Sequence, residues 1–133
     1  MADAGRRTVL VVDDNEDLCA LVQCALEMAG FNVIAAGTGT EALTVFQRAL
    51  PEIDAAVVDV GLPGISGDQV IARMAEASPR LPILAMSGGD TSRARLALEA
   101  GAMCFLAKPF DLLGLAERIG DAIAQQPAGV LQR

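Results

Sequence analysis

A doubly wound α/β domain built on five parallel strands is the fold this sequence predicts, on three observations. Strand-like and helix-like segments alternate from one end of the chain to the other, the pattern of a parallel sheet with helices on both faces. The strand-like segments are nearly unbroken apolar runs, as expected for strands covered on both sides. Four of these runs end on charged or hydroxyl side chains, which gathers polar groups at the carboxyl edge of the sheet, where open α/β sheets bind ligands.

Each element has its own local signal. Residues 8–13 form the first strand, in which Val9-Leu10-Val11-Val12 stops at Asp13-Asp14. Asn15 to Met28 repeats apolar residues at helical spacing (Leu18, Leu21, Val22, Ala25, Leu26), and Gly30 supplies the C-terminal stop. Phe31 to Ala36 reads as the second strand. Thr38-Gly39-Thr40-Glu41 has capping-box spacing and opens a helix whose apolar face starts with Ala42, Leu43 and Phe46. Ile53 to Asp59 is the third strand, followed by a loop from Val60 to Ser66 that carries Gly61, Pro63 and Gly64. A helix over 67–77 ends before Pro79, and Pro82 to Met86 is the fourth strand, stopping at Ser87-Gly88-Gly89. Asp90 to Ala100 reads as a helix closed by Gly101, and Met103 to Ala107 as the fifth strand, ending at Lys108. Asp111 caps a last helix that runs to about Gln125, before Pro127.

Composition narrows the function. With 133 residues the chain suits one domain with one proper core. At 53% hydrophobic it is globular rather than disordered. No apolar run approaches the roughly 20 residues of a membrane span, and the start lacks the apolar stretch of a signal peptide, so a cytoplasmic location away from the membrane is expected. A net charge of -7 argues against direct nucleic-acid binding by this domain. Scarce aromatics, four Phe with no Tyr or Trp, argue against base stacking. The absence of histidine excludes the usual zinc and imidazole chemistries. Cys19, Cys24 and Cys104 contain no close pair, which fits a reducing compartment, and core packing is the expectation for all three.

The strand ends therefore bring together three carboxylates (Asp13, Asp14, Asp59), the hydroxyl of Ser87 and the ammonium of Lys108, the only lysine in the chain. Clustered carboxylates invite a hard divalent cation, and a lysine beside them invites a phosphate. Asp59 can serve as a nucleophile toward a phosphoryl group. Three acids and one lysine sum to a formal -2, which one divalent cation cancels; phosphoryl transfer needs mostly such positioning and neutralisation. Plainer readings exist for each residue: helix capping for Asp13-Asp14, a strand-end acid for Asp59, turn chemistry for Ser87, and solvation for Lys108. Their arrival together, in order, favours a site.

These residues resemble the receiver, or CheY-like, domain of two-component response regulators. The resemblance is carried by Val11-Val12-Asp13-Asp14 and by Val58-Asp59-Val60-Gly61-Leu62-Pro63-Gly64-Ile65-Ser66-Gly67. Ala85-Met86-Ser87-Gly88 and Gly101-Ala102-Met103-Cys104-Phe105-Leu106-Ala107-Lys108-Pro109-Phe110 complete it. It implies a flavodoxin-like sheet in order 2-1-3-4-5, with the receiver over residues 7–125 and short flanking tails at 1–6 and 126–133. It further implies that Asp59 accepts a phosphoryl group from a histidine kinase or a histidine phosphotransfer protein. The implied Mg²⁺, replaceable by Mn²⁺, is held directly by Asp14, Asp59 and the Gly61 backbone carbonyl, and largely through water by Asp13. Lys108 and Ser87 would meet the phosphoryl group, a cis Lys108-Pro109 bond would aim the lysine inward, and Ser87 and Phe105 would move in the switch. Partners would dock on the face of helix 4, strand 5 and helix 5 of a monomer or weak dimer that acts on no external substrate.

Some positions depart from the family pattern. Ser87 stands where threonine is more usual and keeps the hydroxyl. Met103 and Cys104 occupy places often polar or acidic, which weakens the case for a charged dimer interface. Gly61 and Gly89 flank the site without side chains to shield it. A receiver cut from a hybrid histidine kinase or a larger regulator is an alternative setting. Two other classes fit less well: an aspartyl-nucleophile phosphatase would want a second acid at the Gly61 position, and a flavin module would not place Asp13-Asp14-Asn15-Glu16-Asp17 where the flavin phosphate sits.

Overall fold

A computed structural model describes residues 5–88, 91–108 and 111–125. Five strands, β1 (Thr8–Val12), β2 (Asn32–Ala36), β3 (Ile53–Asp59), β4 (Ile83–Ser87) and β5 (Cys104–Ala107), form one sheet in the expected order β2-β1-β3-β4-β5. Every pairing is parallel. The five α-helices are α1 (Glu16–Met28), α2 (Gly39–Ala49), α3 (Gly67–Ala77), α4 (Ala94–Ala100) and α5 (Leu112–Ala124).

The central strands are buried on both faces, and alternate residues face two separate cores. Leu10, Val12, Ala56, Val58, Ile83 and Ala85 pack with Phe46, Val70, Ile71, Met74 and Ala97 from α2, α3 and α4. Val9, Val11, Ala55, Val57, Leu84 and Met86 pack with Val22, Leu26, Leu115 and Ile119 from α1 and α5. A strand with an apolar residue at every position can serve both cores only in this layered arrangement. The edge strands β2 and β5 are partly exposed, as their single covering neighbour requires.

Helix starts follow the side-chain caps. The Asn15 side chain accepts from Leu18 N–H, Thr38 from Glu41 N–H, and Asp111 from Leu113 N–H. A reciprocal capping box occurs at Ser66 and Gln69. At the expected box, Glu41 instead accepts from the Gly37 amide at 2.8 Å, one residue short of its own N-cap. The helix expected to begin at Asp90 begins as α-helix only at Ala94, after a one-turn 3-10 helix over Thr91–Arg93 with no capping side chain at Arg93.

One expectation is corrected. Of the three cysteines, Cys19 is buried and Cys104 half-buried, but Cys24 is exposed. The face of α1 that meets the sheet carries Cys19, Val22 and Leu26, and position 24 turns away from it. Among the described residues no helix is long and apolar enough to cross a membrane. Residues 1–4 and 126–133 of the expected tails, Gly89, Asp90 at the expected start of the fourth helix, and the Pro109 half of the expected cis bond lie outside the described residues.

Candidate functional site

Parallel register builds the site. Val12 pairs with Val58, so Asp13 follows its strand at the level of Asp59. Asp59 pairs with Met86, so Ser87 stands one step beyond it. Ser87 pairs with Ala107, so Lys108 follows at the same edge. The Lys108 N–H donates to the Ser87 carbonyl at 2.7 Å, and the Val60 N–H to the Met86 carbonyl at 2.9 Å, which ties the three strand ends together.

The two buried acids are held alike. One oxygen of Asp13 accepts from the Asn15 N–H at 2.9 Å, and one oxygen of Asp59 accepts from the Gly61 N–H at 2.9 Å. Each local turn fixes its carboxylate two residues upstream of the donor. The other oxygen of each acid faces Lys108, whose Nζ lies 3.0 Å from Asp13 and 3.2 Å from Asp59. Asp13 and Asp59 are buried at 2% and 6% exposure, whereas Asp14 is open to solvent. Ser87 is buried and Phe105 half-buried.

Electrostatics follow from this burial. Desolvation pushes the Asp13 carboxyl above the ordinary carboxylate range, aided by the charge of Asp59 and only partly offset by the Asn15 amide and Lys108. Burial alone would lower the Lys108 ammonium, but the hydrogen bond to Asp13 and the charge of Asp59 outweigh it, and its pKa is held above the usual lysine value. The lysine is thus a fixed cation.

The donor set suits a hard divalent cation. Oxygens of Asp13, Asp14 and Asp59 all lie within 4.8 Å of one another. Mg²⁺ takes about six oxygens at about 2.1 Å and keeps several waters, so opposite ligands stand roughly 4.2 Å apart; the exposed side of Asp14 leaves room for the waters. The register thus assembles all five expected side chains, Asp13, Asp14, Asp59, Ser87 and Lys108, at one edge.

Two features of the site escaped the sequence reading. At Gly67, the first residue of α3, a Cβ would fall 2.2 Å from the Asp59 carbonyl oxygen and 2.3 Å from the Val60 Cα. Only glycine lets α3 start directly against the strand end that carries Asp59. The next residue, Asp68, accepts from Arg93 Nη2 at 3.0 Å, across 25 residues of sequence.

Comparison with known proteins agrees with this fold. The family model described as response regulator receiver domain matches residues 9–120. The chain is 38% identical over 112 residues to the probable transcriptional regulatory protein TcrX of Mycobacterium tuberculosis, covering 84% of this chain and 47% of that protein. It is 37% identical over 105 residues to the alkaline phosphatase synthesis transcriptional regulatory protein PhoP of Bacillus subtilis, covering 78% and 43%. The chain therefore spans less than half the length of these two relatives. A solved structure of a putative response regulator from Chloroflexus aurantiacus superposes with a TM-score of 0.83 at 36% identity, covering 90% of this chain and 99% of that one.

Proposed function

The chain belongs to the response regulator receiver domain family, and from that premise we propose a phosphorylation switch over residues 7–125 in which Asp59 is the phosphoacceptor. The observation that carries the reading is Lys108 held between Asp13 and Asp59 at the carboxyl edge of the sheet. A carboxylate oxygen of Asp59 attacks the phosphorus of a phosphohistidine on a histidine kinase or phosphotransfer protein. The phosphorus–nitrogen bond breaks, and the imidazole leaves with its electron pair. Asp13, Asp14, Asp59 and the Gly61 carbonyl are the groups that would hold Mg²⁺ or Mn²⁺, which when bound supplies the positive charge the three acids need. A solved relative from Borrelia burgdorferi, 26% identical with a TM-score of 0.80, is described as a CheX-CheY complex with BeF3 and Mg, which supports Mg²⁺ as the cation.

Lys108 pairs with the arriving phosphoryl oxygens as a point charge. Ser87, buried beside it and joined to it through the 2.7 Å backbone hydrogen bond, offers the hydroxyl that moves toward them. Phe105, two positions before Ala107 on β5, answers that movement by repacking. The outcome is a population shift between two packings that a partner reads on the face of α4, β5 and α5. Chemistry stops at the chain's own phosphorylation and dephosphorylation, in a cytoplasmic setting. The names of the relatives favour a regulator over a hybrid kinase as the larger setting.

Beryllofluoride, a stand-in for the phosphoryl group, tests the site. With Mg²⁺ it should shift the amide NMR signals of Ser87 and Phe105 in the wild type and leave Asp59→Ala unchanged. Equal shifts in the two proteins would remove Asp59 from the centre of the reading.

A further inference from the structure

Helix α4 is lightly held. Of its seven residues only Ala97 is fully buried, while Leu96 and Leu98 are about half exposed, at 49% and 46%. No side chain caps its start. Its two ends are fixed to α3 in different ways. At the C-terminal end, Gly101 follows the helix with φ +130°, and a Cβ there would lie 2.6 Å from the Ala75 Cβ, so backbone and α3 are in direct contact. At the N-terminal end the tie is polar: Arg93 Nη2 meets Asp68 Oδ1 at 3.0 Å.

The two partners have unequal freedom. Asp68 follows Gly67, whose close approach to Asp59 and Val60 fixes it to the floor of the site. Arg93 stands six residues after Ser87 and leads straight into α4. Its guanidinium is engaged at Nη2, while the buried Nε has no hydrogen-bond partner among the described residues. An arginine that gripped its carboxylate with both groups would be harder to release, and an unpaired buried donor disfavours the arrangement that contains it. Stiff pivot, weak helix and single-pronged tie together describe an element with two positions.

We propose that the Asp68–Arg93 ion pair is a latch that holds the start of α4 in its resting position, with the Gly101–Ala75 contact as the pivot. The proposal rests on the phosphorylation-switch reading for its purpose. In that reading a partner reads the face of α4, β5 and α5, so a shift of α4 belongs to the switched packing, and the latch opposes that shift. Releasing it tilts the population toward the switched packing before any phosphate arrives.

The test uses Arg93→Met, Asp68→Asn and the conservative Arg93→Lys. Hydrogen exchange of the α4 amides, without phosphodonor, reports the latch directly; exchange in β1 and β3 is the internal control. A half-exposed ion pair is worth up to about fivefold in an equilibrium, so exchange over Ala94–Ala100 should quicken by about two- to fivefold in Met and Asn variants. Apparent beryllofluoride affinity in Mg²⁺ should rise by about the same factor, and Arg93→Lys should stay near wild type. Unchanged α4 exchange in Arg93→Met overturns the latch. Faster exchange with unchanged or weaker beryllofluoride binding overturns its role in switching and leaves a plain structural tie. A wild type that ignores beryllofluoride would instead refute the phosphorylation reading, and the exchange measurement alone would then decide whether α4 is latched.

Discussion

Lys108 lies closer to Asp13 than to Asp59, at 3.0 Å against 3.2 Å. The lysine therefore does more than await a phosphoryl group. Before any ligand arrives it neutralises the most buried acid of the cluster, whose side chain is fully sequestered. A cation bound among the same carboxylates would compete with it.

Lys108→Ala should accordingly bind Mg²⁺ more tightly than the wild type, by up to roughly fivefold, the scale of about 1 kcal/mol for neighbouring charges in a wet site. The same variant should lose the beryllofluoride-dependent NMR shifts at Ser87 and Phe105, since the link between phosphoryl group and β5 is gone. Calorimetric titration with Mg²⁺ measures the first effect; weaker Mg²⁺ binding would show that the lysine organises the acids rather than competing for them.

Mg²⁺ should stabilise the fold. Burial and the charge of Asp59 raise the Asp13 carboxyl, so its ionised form is disfavoured in the apo protein, and a cation relieves that. An ion at ten times its dissociation constant adds about 1.4 kcal/mol, or about 5 °C in a domain of this size. Thermal melts with and without millimolar Mg²⁺ should show this gain in the wild type and a smaller one in Asp14→Ala. Identical gains would take Asp14 out of the ligand set.

Gly67→Ala should be among the most damaging single-methyl substitutions in the chain. Its Cβ would meet backbone atoms of Asp59 and Val60, which cannot rotate away. Overpacking against rigid neighbours costs about 3 kcal/mol, and α3 must shift off the strand end. The urea midpoint measures the loss, and a midpoint within error of the wild type would mean that α3 can slide without cost.

Acid should weaken the Asp68–Arg93 tie. Burial alone would raise Asp68, but the hydrogen bonds from Arg93 and Ser66 and the Arg93 charge lower it overall. A carboxyl depressed in the folded state stabilises the fold above its unfolded pKa of about 3.9, and the contribution is lost as pH falls through the lower folded value. The difference in stability between wild type and Asp68→Asn should be at most about 1 kcal/mol at pH 7, given a 39% exposed Arg93 side chain. It should shrink in urea titrations below about pH 4. A difference that grows on acidification would contradict the ion pair.

The sheet was legible in the sequence because each buried strand is an apolar run ended by a polar group, and parallel register then brings those ends together. Helix starts were legible where a capping side chain exists, as at Asn15, Ser66 and Asp111. The start of α4 was not, because Arg93 offers no cap and a 3-10 turn precedes it. Lys108 and Asp13 are 95 residues apart, and Asp68 and Arg93 are 25 apart; pairings of that range follow from packing, which local pattern does not carry. Gly67 read as a helix start and as part of the resemblance, but its need for glycine was not legible because it arises only from the strand end it touches. Cys24 read as core because composition assigns a residue type to the interior without knowing which way its helix turns.

Intact-mass measurement after incubation with acetyl phosphate and Mg²⁺ decides whether Asp59 accepts a phosphoryl group. A single phosphoryl adduct is expected on the wild type, dependent on the divalent cation, and none on Asp59→Ala. Equal labelling of the two proteins, or labelling of the wild type that is indifferent to Mg²⁺, would contradict it.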